Sequence, residues 1–303
     1  MPAKAMRTSF IKKEGVQGWL MILPNTLGLL LFYLIPIGWS IILSLFKWNG
    51  LSKMKFIGFQ NFGLLFSDAS FLYSLRNTFI YSIAVVPLII LFVLCFGVLL
   101  ARDEIKGVAG FRTLYFLPVM TMPVAAALIW KWLLNSRFGL VNKFLGYLSI
   151  PPINWLTSPA YVLPSVIIIG IWLGVAYDLI IIISGMKGIP GMYYEAADID
   201  GASGFRKFFS ITLPLLTPSL FFILITQLIS CFQVFDTVSI ILGADPPGSL
   251  WNAACSVVMN IYQNGFVNFR MGYSSAQSFM LFCIVLLITL VQFKGQKKWV
   301  NYA

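Results

Sequence analysis

Residues 161–184 read YVLPSVIIIGIWLGVAYDLIIIIS and contain a single charged side chain, Asp178. A helix crosses the ~30 Å hydrocarbon core of a bilayer with about 20 apolar residues. Inside that core every backbone polar group must be paired within the protein, which an α-helix achieves on its own. The segment therefore predicts a membrane-spanning helix.

The whole chain shares this apolar character. Of its 303 residues, 59% are hydrophobic and only 10% are charged, and the mean hydropathy is +0.88. Soluble domains average about 25% charged residues, and a water-soluble fold could not bury this much apolar surface. We predict an all-α integral membrane protein in which residues 1–303 form a single transmembrane domain.

Uncharged runs of sufficient length predict about six spans. Pro24 and Pro36 lie inside the first run, so a tilted or kinked helix is expected there. The predicted spans are residues 17–46, 77–101, 114–132, 161–184, 218–242 and 273–293.

The distribution of basic residues predicts the orientation of these spans. With an even number of spans both termini lie on one side, and the loops and tails of that side carry 13 of the 21 Lys and Arg residues. Cytoplasmic loops are enriched in Lys and Arg, so we expect both termini in the cytoplasm. The net charge of +11 is thereby explained by topology, and nucleic-acid binding is not expected.

Several classes of chemistry lack the residues they need. The chain has no His, which excludes a Ser/His/Asp triad and His-ligated metals. Its four Cys form no C-x-x-C pair and at least three lie in apolar runs, so we expect inert, buried thiols rather than a disulfide framework or a metal site. We expect no catalytic residues.

The most informative loop is residues 185–214, between the fourth and fifth spans. From Gly188 to Pro214 it reads GIPGMYYEAADIDGASGFRKFFSITLP. Pro190 suits the first turn of a helix and Gly201 the position just past its end, which predicts a short helix over residues 191–200. Ser203 can cap a second helix over residues 204–213, which Pro214 interrupts.

Three of the ten acidic residues, Glu195, Asp198 and Asp200, fall within this loop. Clustered carboxylates could indicate acid/base catalysis or a divalent-ion site. No other ligand set accompanies them, and Ala196 and Ala197 provide a small, flat helix face. A docking element fits these residues better.

The loop resembles the EAA motif of ABC importer permeases. The motif is a Glu-Ala-Ala, a Gly six positions after the Glu, and then Ile-x-Leu-Pro; here it reads Glu195-Ala196-Ala197, Gly201 and Ile211-x-Leu213-Pro214. Residues 271–276, MGYSSA, resemble the sugar-type branch of these permeases, and the resemblance extends over most of the chain. It implies the ABC importer type I permease fold.

The resemblance also implies a role for the loop. In that family it is a coupling helix that docks on a cytoplasmic ATPase and moves with it. Glu195 and Gly201 would be the central contacts, with Ala196, Ala197, Asp198 and Asp200 beside them. The alternative is an ordinary cytoplasmic helical hairpin.

Energy for transport would have to come from another subunit. The chain contains no G-x-x-x-x-G-K-[ST] phosphate-binding loop, so we expect no cofactor in it. By resemblance, ATP and Mg would be bound by two partner ATPase subunits, and the assembly would include a second homologous permease and an extracytoplasmic solute-binding protein. The location implied is a bacterial cytoplasmic membrane.

By the same resemblance, solute crosses between the two permeases, near spans four and five. Asp178 and Asp236 are the only acids within the predicted spans, and ionisable residues inside a membrane are functional candidates. Rings and hydroxyl-bonding groups suited to a carbohydrate lie near them, and each could instead pack between helices. The predicted pathway residues are Trp172, Gly174, Tyr177, Asp178, Ser230, Gln233 and Asp236.

Other solutes and mechanisms remain open. A phosphorylated solute such as glycerol phosphate calls for Arg or Lys, which spans four and five lack, although the second permease could supply one. An ion-coupled secondary transporter would use Asp178 and Asp236 as ion sites. A membrane enzyme would need a nucleophile and base that are not evident.

Overall fold

The computed structural model describes residues 3–101 and 107–301, and within them it leaves the side chains of residues 3–14, 108, 109, 112 and 116 undescribed. Some of the basic residues behind the predicted orientation therefore fall outside the described part. These are Arg102 and Lys106, together with the side chains of Lys4, Arg7, Lys12, Lys13 and Arg112.

The described residues are mostly helical. The first elements in chain order are α1 (Ala3–Leu29), a π-helical turn (Leu30–Leu34), α2 (Ile35–Leu43), β1 (Phe46–Lys47), β2 (Lys55–Phe56), α3 (Gln60–Ser67), α4 (Ala69–Leu100), α5 (Val108–Met120), α6 (Pro123–Leu133) and α7 (Leu140–Tyr147). They are followed by α8 (Val162–Lys187), α9 (Met192–Ile199), α10 (Gly204–Lys207), a π-helical turn (Phe208–Thr212), α11 (Leu213–Leu215), α12 (Thr217–Phe232), α13 (Asp236–Leu242), α14 (Gly248–Ala254), α15 (Val257–Tyr262), a π-helical turn (Gln263–Val267) and α16 (Met271–Gln296).

Five helical segments of the described chain are long and apolar enough to cross a membrane. They are Gly15–Leu43, Ala69–Leu100, Val162–Lys187, Thr217–Leu242 and Met271–Gln296. Each coincides with one of the predicted spans, which confirms the prediction of an all-α membrane protein. The second segment starts at Ala69 rather than at residue 77, because Asp68 caps it by accepting hydrogen bonds from the backbone N–H groups of Ser70 and Phe71.

The predicted third span, residues 114–132, is two shorter helices rather than one. α5 ends at Met120 and α6 begins at Pro123, with Thr121 and Met122 in extended conformation between them. Proline disfavours helical geometry in the residue before it and has no N–H to donate, so Pro123 breaks the run at Met122. Residues 114–132 therefore form parts of two helices, α5 and α6, and not the single helix expected for a span.

A second interruption lies in the predicted fifth span, residues 218–242. α12 ends at Phe232 and α13 begins at Asp236, leaving three residues outside the helices. The exposed backbone is partly satisfied locally, because the Gln233 N–H donates to the Ser230 carbonyl at 3.1 Å. The carbonyl of Val234 accepts a hydrogen bond from the Ser256 hydroxyl at 2.7 Å.

The chain divides into two compact units. The first comprises residues 1–64 and 264–279. In it β1 and β2 form a short antiparallel hairpin, and the buried side chain of Asn61 donates to the carbonyls of Ser44 and Phe46 at 2.8 and 3.0 Å. The guanidinium of Arg270 lies 4.3 Å from the centre of the Tyr273 ring.

The second unit comprises residues 65–263 and 280–303, and its core forms where α4 packs against α8. Val85, Ile89 and Val93 recur every four residues on α4 and are almost fully buried. Gly170 of α8 lies against the hydroxyl of Tyr81, where an added Cβ would clash. Small residues allow such close helix approach in membranes, where lipid is as apolar as the core.

Candidate functional site

The first candidate site is the loop between α8 and α12, residues 188–216. Its first helix, α9, spans Met192–Ile199, which confirms the short helix predicted over residues 191–200. Glu195 is exposed in the first turn, where the helix dipole favours a negative charge. The side chain is therefore accessible to a partner.

The end of α9 is a Schellman motif centred on Gly201. The N–H of Gly201 donates to the Asp198 carbonyl at 3.1 Å, and the N–H of Ala202 donates to the Ala197 carbonyl at 2.9 Å. Gly201 has φ +69°, a left-handed conformation that suits glycine because it has no Cβ. The geometry reverses the chain directly after Asp200.

A second short helix follows this reversal. The Ser203 hydroxyl caps α10 by accepting from the Arg206 N–H, as its sequence position predicted. Helical geometry continues beyond α10 through the π-turn Phe208–Thr212 and α11, so Pro214 does not end the helix where expected. A wide π-turn before a proline accommodates its ring and missing N–H.

Two side-chain contacts hold α9 to the residues after it. The ammonium of Lys207 pairs with the carboxylate of Asp198. The hydroxyls of Tyr194 and Thr212 lie 2.9 Å apart and share a hydrogen bond. Of the predicted contact residues, Asp198 thus has a partner within the loop.

The loop exposes large apolar side chains. Met192 is 68% exposed, Ile199 88% and Phe205 76%. Exposed apolar groups of this size, next to charged ones, mark interaction surfaces in proteins. The loop therefore offers a partner both an apolar face and the Glu195 carboxylate.

The second candidate site is a cavity of about 730 Å³ within the second unit. This volume falls in the ~300–1,000 Å³ range of small-molecule sites. Both helix interruptions border this cavity. Thr121 and Pro123 line it at the break between α5 and α6, and residues 233–235 line it at the break between α12 and α13. Irregular backbone at membrane depth is tolerated where it is buried or lines a water-filled cavity.

The cavity gathers most of the predicted pathway residues. Those lining it are Gly174, Tyr177, Ser230, Gln233 and Asp236. Trp172 instead lines a separate, largely apolar cavity of about 720 Å³, where its ring packs edge-to-face on Trp130 at 5.9 Å. Trp172 and Tyr177 are five positions apart on α8 and so point to different sides of the helix.

Asp178 does not line the cavity. Its side chain is fully buried behind the wall, and its Oδ2 accepts a hydrogen bond from Nε2 of Gln227 at 2.7 Å. Gln227 does line the cavity, beside Thr226. Neither Thr226 nor Gln227 was predicted as a pathway residue, although two adjacent uncharged polar residues in the middle of an apolar span were a usable signal.

The lining of the cavity has an acidic character. Asp236 is exposed to it, and no Lys or Arg of the described chain contributes to its wall. Lys131 on α6 is directed elsewhere, since its ammonium donates to the carbonyl of Ile240 at 2.6 Å. The cavity presents hydrogen-bonding oxygens and amides, with negative rather than positive charge.

The four Cys thiols are free. Cys231 and Cys255 are buried as expected, whereas Cys95 is exposed and Cys283 half-buried. At Cys255, between α14 and α15, burial raises the pKa of the thiol because the thiolate would lose its hydration. This thiol is therefore protonated and unreactive at neutral pH.

Comparison with known proteins gives a consistent set of similarities. The model of the family described as "Binding-protein-dependent transport system inner membrane component" matches residues 108–294. The chain is 36% identical to the probable ABC transporter permease protein YesP of Bacillus subtilis, covering 99% of this chain and 97% of that protein. It is 32% identical to the trehalose/maltose transport system permease protein MalF of Thermococcus litoralis, covering 95% and 96% respectively.

Two further similarities extend this set. The chain is 31% identical to the sn-glycerol-3-phosphate transport system permease protein UgpA of Pectobacterium atrosepticum, covering 94% of this chain and 95% of that one. Its fold matches the crystal structure of a bacterial ABC transporter involved in the import of the acidic polysaccharide alginate. That match has a TM-score of 0.83 at 23% identity and covers 97% of this chain and 100% of the other.

Proposed function

The chain belongs to the family of inner membrane components of binding-protein-dependent transport systems, and from that premise we propose that it forms part of the solute pathway of an ATP-driven carbohydrate importer. It is a multi-pass ABC transporter permease. In the proposed importer a separate ATPase drives the solute pathway through residues 185–214.

The observation that carries the proposal is the cavity bordered by two broken helices. A structural bundle has no need to interrupt α5–α6 and α12–α13 at the same place, since unpaired backbone in a membrane is costly. Transporters build solute sites from such discontinuous helices. Thr121 and Pro123 at the first break and residues 233–235 at the second line one space.

The lining favours a neutral, hydroxyl-rich solute. Tyr177 offers a ring on which a sugar face can stack, while Ser230 and Gln233 offer hydrogen-bond donors and acceptors. Asp236 would repel an anion, and no cation in the described wall offsets it. Neutral sugars have many hydroxyls and no charge, and the trehalose/maltose relative is named for such solutes.

A second candidate solute is glycerol phosphate, which is favoured by the name of the UgpA relative. Its phosphate would need a Lys or Arg partner. On this alternative the second permease provides that cation at the facing wall. Uptake of labelled maltose and of labelled sn-glycerol 3-phosphate separates the two candidates.

The coupling role rests on the loop after α8. Glu195, Ala196 and Ala197 lie on α9, with Gly201 at the reversal that follows. In the proposed assembly α9 docks on the ATPase through this face, with Met192, Ile199 and Phe205 as its apolar anchors. ATP and Mg are bound by the two ATPase subunits and not by this chain.

The remaining partners and the orientation follow from the same proposal. A second homologous permease closes the pathway, and an extracytoplasmic solute-binding protein delivers solute to it. Both termini and the 185–214 loop face the cytoplasm of a bacterial cell. ATP-driven movement of α9 then shifts the permease pair between outward-facing and inward-facing states, which is a population shift between two packings.

Affinity purification of the chain from its native membrane in mild detergent, with mass spectrometry, tests this assembly. We expect a second permease, an ATPase with a phosphate-binding loop and a solute-binding protein to co-purify. Uptake of labelled maltose and sn-glycerol 3-phosphate by the recovered complex then identifies the solute class. Recovery of the chain alone, with no ATPase after cross-linking of the membranes, would contradict the proposal.

A further inference from the structure

The interior of α8 holds a carboxyl group that is only half satisfied. Asp178 has no exposed surface, and its Oδ2 accepts the hydrogen bond from Gln227 Nε2 at 2.7 Å. Its other oxygen, Oδ1, is buried without a hydrogen-bond partner among the described residues. Buried polar atoms without partners are uncommon in proteins and costly, so the retention of a carboxyl group here requires a reason.

Gly174 provides the space that this contact needs. It lies one helical turn before Asp178, on the same face of α8. A Cβ at Gly174 would lie 3.3 Å from Nε2 and 3.4 Å from Oε1 of Gln227, and it would clash with the Cδ1 atom of Ile89. The missing side chain thus leaves room for the Gln227 amide beside α8, where it reaches Asp178.

The contact fixes which end of the amide is available to the cavity. A carboxyl oxygen that accepts from Nε2 holds the NH₂ end of the amide through one of its two N–H bonds, so the carbonyl Oε1 and the second N–H are left without a partner among the described residues. Gln227 is half-buried and lines the cavity. The amide therefore presents a hydrogen-bond acceptor to the cavity.

We propose that Asp178 is a positioning residue that holds the Gln227 amide with its Oε1 toward the solute pathway, where it accepts a hydrogen bond from a solute hydroxyl. The inference rests on the proposed function, because it assigns a specificity role within the same cavity. A fixed acceptor favours the binding of solute groups that donate hydrogen bonds. It disfavours the binding of carboxylate and phosphate groups, which only accept them.

The chemistry of Asp and Asn gives a direct test of orientation. In Asp178→Asn the new amide can accept from Nε2 or donate to Oε1, so Gln227 loses its single orientation. Gln227→Glu places two carboxyl groups within hydrogen-bonding distance, where like charges repel. The double variant Asp178→Asn/Gln227→Glu restores one hydrogen bond with donor and acceptor exchanged, and leaves a carboxylate oxygen at the cavity.

The contact itself is tested by thermal unfolding of the complete purified complex. We expect each single variant to lower the unfolding midpoint and the double variant to recover most of the loss, since the two side chains interact. Additive losses in the double variant would overturn the contact. This measurement needs no solute.

The specificity role is tested by uptake of labelled maltose into proteoliposomes that contain the complex, its binding protein and ATP. We expect Asp178→Asn to raise the apparent KM for maltose on the order of fivefold, the value of one net hydrogen bond. The double variant is expected to return the KM to within about twofold of the wild type, on the same ground that the bond is re-formed. Asp245→Asn, an exposed acid outside the cavity lining, is the matched control and is expected to leave the KM unchanged.

The outcomes separate this inference from the proposed function. A lower maximal rate in Asp178→Asn with the same KM would mean a purely structural role and would overturn the positioning assignment. Uptake of sn-glycerol 3-phosphate but not maltose by the wild-type complex would overturn both the neutral-sugar assignment and the donor preference. ATP-independent uptake would refute the importer proposal, while the thermal measurement would still decide the Asp178–Gln227 contact.

Discussion

The carboxylate of Asp198 and the ammonium of Lys207 form an ion pair that joins α9 to α10 across the reversal at Gly201. The Asp198 side chain is 65% exposed and the Lys207 side chain 20%. Exposed pairs contribute about 0–1 kcal/mol to stability, because water screens the attraction. The pair therefore affects the relative placement of the two short helices more than the stability of the fold.

We predict that Asp198→Asn weakens docking of the ATPase modestly, by at most about fivefold in affinity, which corresponds to the upper value of an exposed pair. The measurement is the amount of ATPase retained on the immobilised permease as salt is increased. Exchange of the two residues, Asp198→Lys with Lys207→Asp, is expected to restore part of the loss. Asp200 lies beside the pair, so an equal loss of ATPase retention in Asp200→Asn would show that the Asp198–Lys207 pair makes no specific contribution to docking.

Gly201 is expected to be the most sensitive backbone position of the loop. Nothing lies within 4 Å of a Cβ built there, so Gly201→Ala adds no clash. The substitution is expected to destabilise the native turn by about 1–2 kcal/mol, because a residue with a Cβ disfavours the left-handed conformation. Gly201→Asn is expected to cost less, because Asn adopts this conformation more readily. ATPase activity per mole of assembled complex, compared among the variants, checks this order.

Gly204→Ala is the matched control for that series. Gly204 also has open space around its Cα, but it lies in α10 with ordinary helical geometry. Alanine is favoured over glycine in helices by up to about 1 kcal/mol, so this variant is expected to retain coupling. Equal losses from Gly201→Ala and Gly204→Ala would exclude the left-handed turn as the cause.

Glu195→Lys is predicted to abolish ATP-dependent uptake while the chain still inserts into the membrane. The substitution reverses an exposed charge at the docking face and places a cation in the first turn of α9, where the dipole disfavours it by about 0.3–1 kcal/mol. Glu195→Gln removes the charge at similar size and is expected to retain partial uptake. Full uptake by Glu195→Lys would remove this residue from the coupling surface.

Gly174→Ala is predicted to disturb the cavity wall. Its methyl group would meet Ile89 and the Gln227 amide, and overpacking of this kind typically costs about 1–3 kcal/mol. The expected results are a lower unfolding midpoint and slower uptake. Gly38 also lies within a membrane helix, but nothing lies within 4 Å of a Cβ built there, so Gly38→Ala should change neither the unfolding midpoint nor the uptake rate. Equal losses in Gly38→Ala would contradict a specific role for the space at Gly174.

Much of the fold was predictable because each membrane span can be identified from its own residues alone. An uncharged run of about 20 residues needs no tertiary information to be identified as a membrane helix. The helix end at Gly201 and the cap at Ser203 were likewise local signals, and the structure has both. The break at Met122 was missed although Pro123 signalled it, because hydropathy alone does not register backbone geometry.

The site was less accessible to sequence reasoning. Tyr177 and Gln233 could be singled out as polar groups in apolar spans, but which side of a helix faces the cavity depends on its packing. Trp172 illustrates this, since it packs on Trp130 in a different cavity. The bond between Asp178 and Gln227 joins residues 49 positions apart, and no local pattern encodes such a pair.

ATP-driven transport through this chain is tested most directly by solute uptake into proteoliposomes, with the co-purified complex in one set and this chain alone in the other. We predict that the complex accumulates maltose only when ATP is present at the face of the 185–214 loop, and that Glu195→Lys abolishes this accumulation. Accumulation by the chain alone without nucleotide would contradict it, and Asp178 and Asp236 would then be the ion-binding residues to investigate.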